Sequence, residues 1–157
     1  MEISHVSSMI SLAFALLGAA AVYGTDVFFC VVGRAALTRV SDAALVETMG
    51  RLHEVADRRM PVFGVIGIVG GLASIAFSRV SWPWALTATV AQVLWIAVYR
   101  GVAAPVNAEL TRHVRAGSVP ANARALQARW DSVIVLRVLL MGFAVVALAA
   151  GLVRSAQ

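Results

Sequence analysis

Asp26 puts a carboxylate inside Ile10–Val32, an otherwise almost wholly apolar run long enough to cross a bilayer. An ionisable group at that depth costs about 2.5–3.5 kcal/mol to insert, so such groups face a protein interior or polar cavity and take a partner. Arg137, inside the apolar run Val133–Val153, is the matching cation. It either pairs with Asp26, directly or through a ligand or water, or extends its stem to the headgroups. At about 1.5 Å per residue, Asp26 lies about 9 Å and Arg137 about 6 Å in from the same face. Gln92 is deeper, in the third apolar run, where its amide can also serve as an interhelical hydrogen bond. Tyr23 is one turn from Asp26 on the same helical face.

A second set of chemical groups flanks these runs. His53 and Asp57 are four apart, as are Glu109 and His113. Each spacing sets an imidazole beside a carboxylate on a helix, which orients the ring and raises its basicity. A general base near neutral pH needs that arrangement; an exposed helical charge pair would look the same. Two histidines in separate loops could also hold haem or a metal, but no HxxxH or carboxylate-rich motif accompanies them, and no cofactor is expected. Asn107, after Pro105, can cap a new helix. Trp130 is either an interface anchor or one wall of an aromatic pocket. Arg34, just past the first run, is a further cation for an anionic ligand.

These residues need a frame, and composition supplies it. The chain has 157 residues, 61% of them hydrophobic, against roughly 45–50% in soluble domains. Spans are predicted at about 10–32, 60–80, 83–104 and 133–153, near the roughly 20 residues a crossing needs. Ten of the thirteen basic residues, all arginine, fall in the segments Gly33–Arg59 and Arg100–Asp131. The positive-inside rule therefore puts both long loops, 33–59 and 105–132, in the cytoplasm and both termini outside the plasma membrane. Trp82 and Trp84 suit an outer aromatic belt, Tyr99 and Trp130 an inner one. Ser41–Arg59 reads as an amphipathic helix capped by Ser41; Asn107–Ala116 and Pro120–Trp130 read as two more, split by Gly117-Ser118. These are expected on the membrane surface, roofing the mouth of the bundle.

The fold class is therefore all-α: one integral membrane domain over residues 1–157, an antiparallel four-helix bundle with amphipathic helices in its two cytoplasmic loops. The halves share one plan of span, basic loop and span. Cys30, the single cysteine, reads as a small apolar residue and excludes an intrachain disulfide. Gly18, Gly64, Gly67, Gly70 and Gly71 would permit close helix contacts, within the chain or in a homo-oligomer. Membrane topology accounts for the basic residues, so nucleic acid is not an expected partner.

Three stretches resemble the anthrone-oxygenase-like membrane family. They are Leu52-His53-Glu54-Val55-Ala56-Asp57-Arg58-Arg59-Met60-Pro61-Val62-Phe63, Pro105-Val106-Asn107-Ala108-Glu109-Leu110, and Arg129-Trp130-Asp131 leading to Arg137. On that resemblance Asn107, Trp130 and Arg137 occupy recurrent polar and aromatic positions. His53 stands where asparagine is expected, and Asp131 follows the tryptophan where some members carry histidine. The resemblance implies oxidation of an anthrone-like, polyketide-type hydrophobic substrate to a quinone by O2, without a cofactor. The protein would supply a base (His53, His113 or Asp26) and a cation or donors for the anion (Arg137, Arg34, Gln92, Asn107). Phe28, Phe63, Trp95 and Trp130 would form a dry aromatic slot, with Tyr23 beside it. A small-molecule, quinone or haem-binding membrane protein, or an accessory subunit without chemistry, are the alternatives the residues leave open.

Overall fold

The computed structural model describes residues 2–77 and 80–157, without the side chain of Glu2; Arg79 lies outside the described residues. Helix α1 (Glu2–Phe28) passes through a π-helical turn, Phe29–Gly33, into the short α2 (Arg34–Leu37). Then come α3 (Asp42–Arg59), α4 (Pro61–Phe77) and α5 (Trp82–Val98). A second π-helical turn, Tyr99–Ala103, leads into α6 (Ala104–Arg115), followed by α7 (Ala123–Asp131) and α8 (Ile134–Ser155). No strand occurs among the described residues.

These pieces join into four rods, Ile3–Leu37, Asp42–Phe77, Trp82–Arg115 and Ala123–Ser155, of 35, 36, 34 and 33 residues. Each is long and apolar enough to cross a membrane. At about 1.5 Å per residue the rods are about 50 Å long, well beyond a hydrocarbon core of about 30 Å. The helices between the apolar runs were expected to lie across the mouth; instead they prolong the rods. The joints explain this. Met60 keeps helical angles (φ −65°, ψ −30°), and its N–H donates to Ala56 O at 2.8 Å. Pro61 then falls in the first turn of α4, where its missing N–H costs little.

Asn107 does not cap a helix start, because Pro105 does not stop the third rod. The π-helical turn before it, closed by Ala104 N–H on Tyr99 O, re-phases the backbone ladder and leaves room for the ring. Ser41 caps α3 as its position implies, accepting from Ala44 N at 3.2 Å. Gly117, at φ +63°, ends α6 with bonds from Gly117 N to Val114 O and Ser118 N to His113 O.

Around the bundle α1 packs on α4 and α8, and α5 completes the ring against α4 and α8. The interior there is rich in alanine (Ala15, Ala19, Ala85, Ala88, Ala91, Ala144 and Ala147), with Leu12, Val22, Met141 and Leu148 filling the space between. Large apolar side chains such as Phe14, Leu17, Leu139 and Phe143 point outward. Small residues at helix contacts, with large apolar side chains facing outward, let helices approach closely where the surroundings are themselves apolar. At the far end of the rods α3 packs on α6 with α7 beside them, around Leu45, Val46, Met49, Val106, Leu110, Trp130 and Ile134.

Glycine sets how closely α1 approaches α4. A Cβ on Gly18 would sit 2.5 Å from Phe63 O and 2.7 Å from Gly67 N; one on Gly70 would sit 2.7 Å from Ser11 O. These are backbone atoms, which cannot swing aside. Gly18→Ala and Gly70→Ala should therefore each cost about 1–3 kcal/mol. Gly24→Ala and Gly64→Ala, with nothing within 4 Å, should be neutral or gain up to about 1 kcal/mol from helix propensity. Chemical unfolding of the four variants in detergent micelles checks this, and equal losses in both pairs would contradict the close approach. Most of the glycines that could have made a dimer face are thus used within the chain.

Candidate functional site

On α1 the buried positions Ala15, Ala19, Val22 and Asp26 recur at three- and four-residue spacing, so the stripe that packs the bundle carries the carboxylate inward. On α8 Ile134, Arg137 and Met141 do the same for the guanidinium. The two meet: Arg137 Nη2 donates to Asp26 Oδ1 at 2.5 Å. Asp26, 1% exposed, accepts a second bond at Oδ2 from Trp95 Nε1, at 2.7 Å. Both carboxylate oxygens are therefore occupied by donors.

Three aromatic rings surround the cation. The Arg137 guanidinium carbon lies 5.0 Å from the Trp95 ring centre, 5.2 Å from Trp130 and 5.8 Å from Tyr99. Trp95 and Tyr99, one turn apart on the third rod, are stacked at 5.4 Å and 3°. Trp130 is buried, with Phe29 against one edge at 5.3 Å and His53 at 5.8 Å, so it is a wall of the site and not an interface anchor. Such cation–π contacts contribute about 2 kcal/mol or more where water is excluded.

Behind the rings a second polar group closes the site. Tyr99 Oη donates to Asp57 Oδ1 at 2.8 Å, and Asn107 Nδ2 donates to the same oxygen at 3.0 Å. His53 Nδ1 is 4.0 Å from it, near but outside hydrogen-bond distance. Burial pushes the His53 imidazole down to about 4 from 6.5, with Asp57 opposing the shift and Arg137 adding to it. His53 is thus a neutral ring at neutral pH, and its basicity is lowered and not raised as its spacing to Asp57 implied, because burial outweighs the carboxylate's charge.

Several buried atoms here have no partner among the described residues: Arg137 Nε and Nη1, Trp130 Nε1, His53 Nε2 and Asn107 Oδ1. Buried polar groups are nearly always satisfied, so an unpartnered cluster calls for a water or a ligand. As a set these atoms offer a cation, an indole donor, a neutral imidazole nitrogen and an amide oxygen beside flat apolar rings. Chemically, that set supplies donors and positive charge for an oxygen atom and one nitrogen that can accept a proton.

Other residues singled out in the sequence lie elsewhere. His113 is held at the end of α6 by Glu109 Oε1 at 3.3 Å and Ser118 Oγ at 2.9 Å. Arg34 is exposed on α2, where its charge acts on Asp131. Burial holds the Asp131 carboxyl above its usual range, against a bond from Gln127 and that charge. Gln92 is buried against Gly67, and its Nε2 reaches Ala88 O at 3.4 Å. Tyr23 packs its ring over Gly142. Phe28 and Phe63 face outward and do not line the slot, because neither lies on the packed stripe of its helix. Among the described residues no group of three or more His, Cys, Asp or Glu side chains could hold a metal ion. Asp57 as a shared acceptor, and Tyr99 as its donor, are additions from the structure; the four-residue step from Trp95 to Tyr99 was the available signal.

Fold and site together define an all-helical bundle of four long apolar rods around a buried, aromatic-walled Asp–Arg pair. No protein-family model, curated protein or solved structure matches the chain.

Proposed function

We propose that this is a multi-pass plasma-membrane protein that binds a flat, oxygen-bearing aromatic molecule of the anthrone type, deprotonates it and lets the anion react with O2. The outward belt of large apolar side chains over an alanine-rich interior supports the membrane setting. The arginine-rich ends of the rods support an orientation with the site toward the cytoplasm and both termini outside. One observation carries the chemical reading: unpartnered Arg137 Nε and Nη1, Trp130 Nε1 and His53 Nε2 occur together, buried, among aromatic rings.

In this reading the substrate lies against Trp130 and Trp95. His53 Nε2 takes a proton from its central methylene, and Arg137 with Trp130 Nε1 holds the charge that moves onto the carbonyl oxygen. The carbanion transfers electrons to O2, a C–O bond forms, the peroxide anion takes up one proton from water, and the hydroperoxide loses water to leave a second carbonyl. Anthrone and O2 thus give quinone and water. The substrate anion supplies the electrons, so the route requires no resident cofactor. Asp26 is a positioning residue here, since its oxygens are engaged by Arg137 and Trp95.

An oxygen electrode with purified protein and anthrone tests this. One O2 should be consumed per quinone formed, and Asp26→Asn should slow the rate at least about tenfold by releasing Arg137 from its place. Wild-type protein that consumes no oxygen, or a Soret band in its spectrum, would overturn the cofactor-free oxygenase reading.

A further inference from the structure

We propose that Asp57 is the point at which a proton taken in the buried centre leaves for water. This rests on the deprotonation reading above and adds the route that the reading needs. A proton cannot leave through Asp26. Its two oxygens face Arg137 and the Trp95 indole, and neither donor can pass a proton onward at neutral pH. The other side of the centre differs. Tyr99 Oη and Asn107 Nδ2 converge on Asp57 Oδ1, and His53 Nδ1 is 4.0 Å from that oxygen.

Exposure changes abruptly at this residue. The His53 side chain is 8% exposed and that of Asp57 35%. Asp57 and His53 line a groove of about 540 Å³ between α3 and α6, with Arg58, Thr111, Arg112 and Arg115 around it. Glu54, which also lines the groove, holds Arg115 at 2.9 Å, and Glu109 holds Arg112 at 2.5 Å, so ion pairs fix its rim. Asp57 therefore joins the buried network to an open groove.

The step balances without a further reactant. The substrate C–H bond breaks, and its proton goes to His53 Nε2. The Nδ1 proton of the same ring passes to Asp57 after a small ring movement or through one water. Asp57 then releases it to the groove, and the electron pair stays on the substrate beside Arg137. Tyr99 and Asn107 are positioning residues that keep Asp57 Oδ1 turned toward His53.

Anaerobic stopped-flow mixing with anthrone tests the route, because without O2 only binding and ionisation occur. Quenching of Trp95 and Trp130 fluorescence reports binding, the anthrone anion's absorbance reports ionisation, and a pH-indicator dye reports proton release. Wild type should release one proton per anthrone bound. Asp57→Asn and Asp57→Ser, made in parallel so that either folded variant suffices, should bind anthrone but ionise it at least about tenfold more slowly. Formate, small enough to enter the groove and take the place of the missing carboxylate, should restore the rate in those variants and leave wild type unchanged; Asp57→Glu should retain most of it. If wild type ionises anthrone and the variants match it, or are slow without formate rescue, the Asp57 route fails and the deprotonation reading stands. A wild type that leaves anthrone neutral overturns both.

Discussion

Arg137→Ala should destabilise the protein by about 3–5 kcal/mol and abolish anthrone oxidation, because it leaves Asp26 charged and uncompensated in the interior. Asp26 is 1% exposed, and its remaining partner would be the neutral Trp95 indole. The double variant Asp26→Leu/Arg137→Met should return most of that stability, since replacing a whole buried ion pair with apolar side chains is commonly neutral or better. It should remain inactive. That pattern would mean that the pair is kept for the charge it presents to a ligand and not for the fold. Unfolding in detergent micelles with the oxygen electrode beside it measures both. A loss below about 1 kcal/mol in Arg137→Ala would show that Asp26 is hydrated or neutral, contrary to its enclosure.

The pairing of Asp26 with Arg137 was legible in the sequence because polar groups in long apolar runs are conspicuous. Their similar depths, counted in helical steps, made them neighbours. The four apolar helices were legible for the same reason, since length and hydropathy need no tertiary information. The continuation of α3 into α4 was not, because proline reads equally as a helix start and as a first-turn residue within a longer rod. The π-helical turns at Phe29–Gly33 and Tyr99–Ala103 have no sequence signature here, yet the second one places Tyr99 over Asp57. Trp130 shows a different limit. A tryptophan near a predicted boundary fits the headgroup belt, and only the packing of α3 and α7 shows that it is covered. His113 shows the converse: its spacing to Glu109 matches that of His53 to Asp57, and the surroundings separate them. One ring is buried beside Trp130, the other is tied to Ser118 at a helix end.

His53→Phe should separate chemistry from stability more sharply than any other single change. The ring that faces Trp130 is kept, so stability at neutral pH should change by less than about 1.5 kcal/mol. Acid should then distinguish the proteins. The folded-state pKa of His53 is lowered to about 4 from 6.5, so the unfolded chain binds the extra proton as pH falls below 6.5 and the folded chain resists it until about 4. Wild type therefore loses stability progressively across that window, by roughly 3 kcal/mol in all, and the phenylalanine variant lacks this loss. Between pH 7 and pH 4.5 the variant should gain roughly 2–3 kcal/mol relative to wild type. Its oxidation rate should nevertheless fall by about 10²–10⁴, the usual contribution of a positioned base. Thermal melts at pH 7 and pH 4.5, with anthrone turnover at pH 7, decide between these outcomes. Parallel pH dependence in the two proteins would mean that the imidazole is not held neutral by burial, and undiminished turnover would move the base to another residue. On the proposed reading, removing the base makes the protein more acid-resistant, because a histidine buried in its neutral form costs stability in acid.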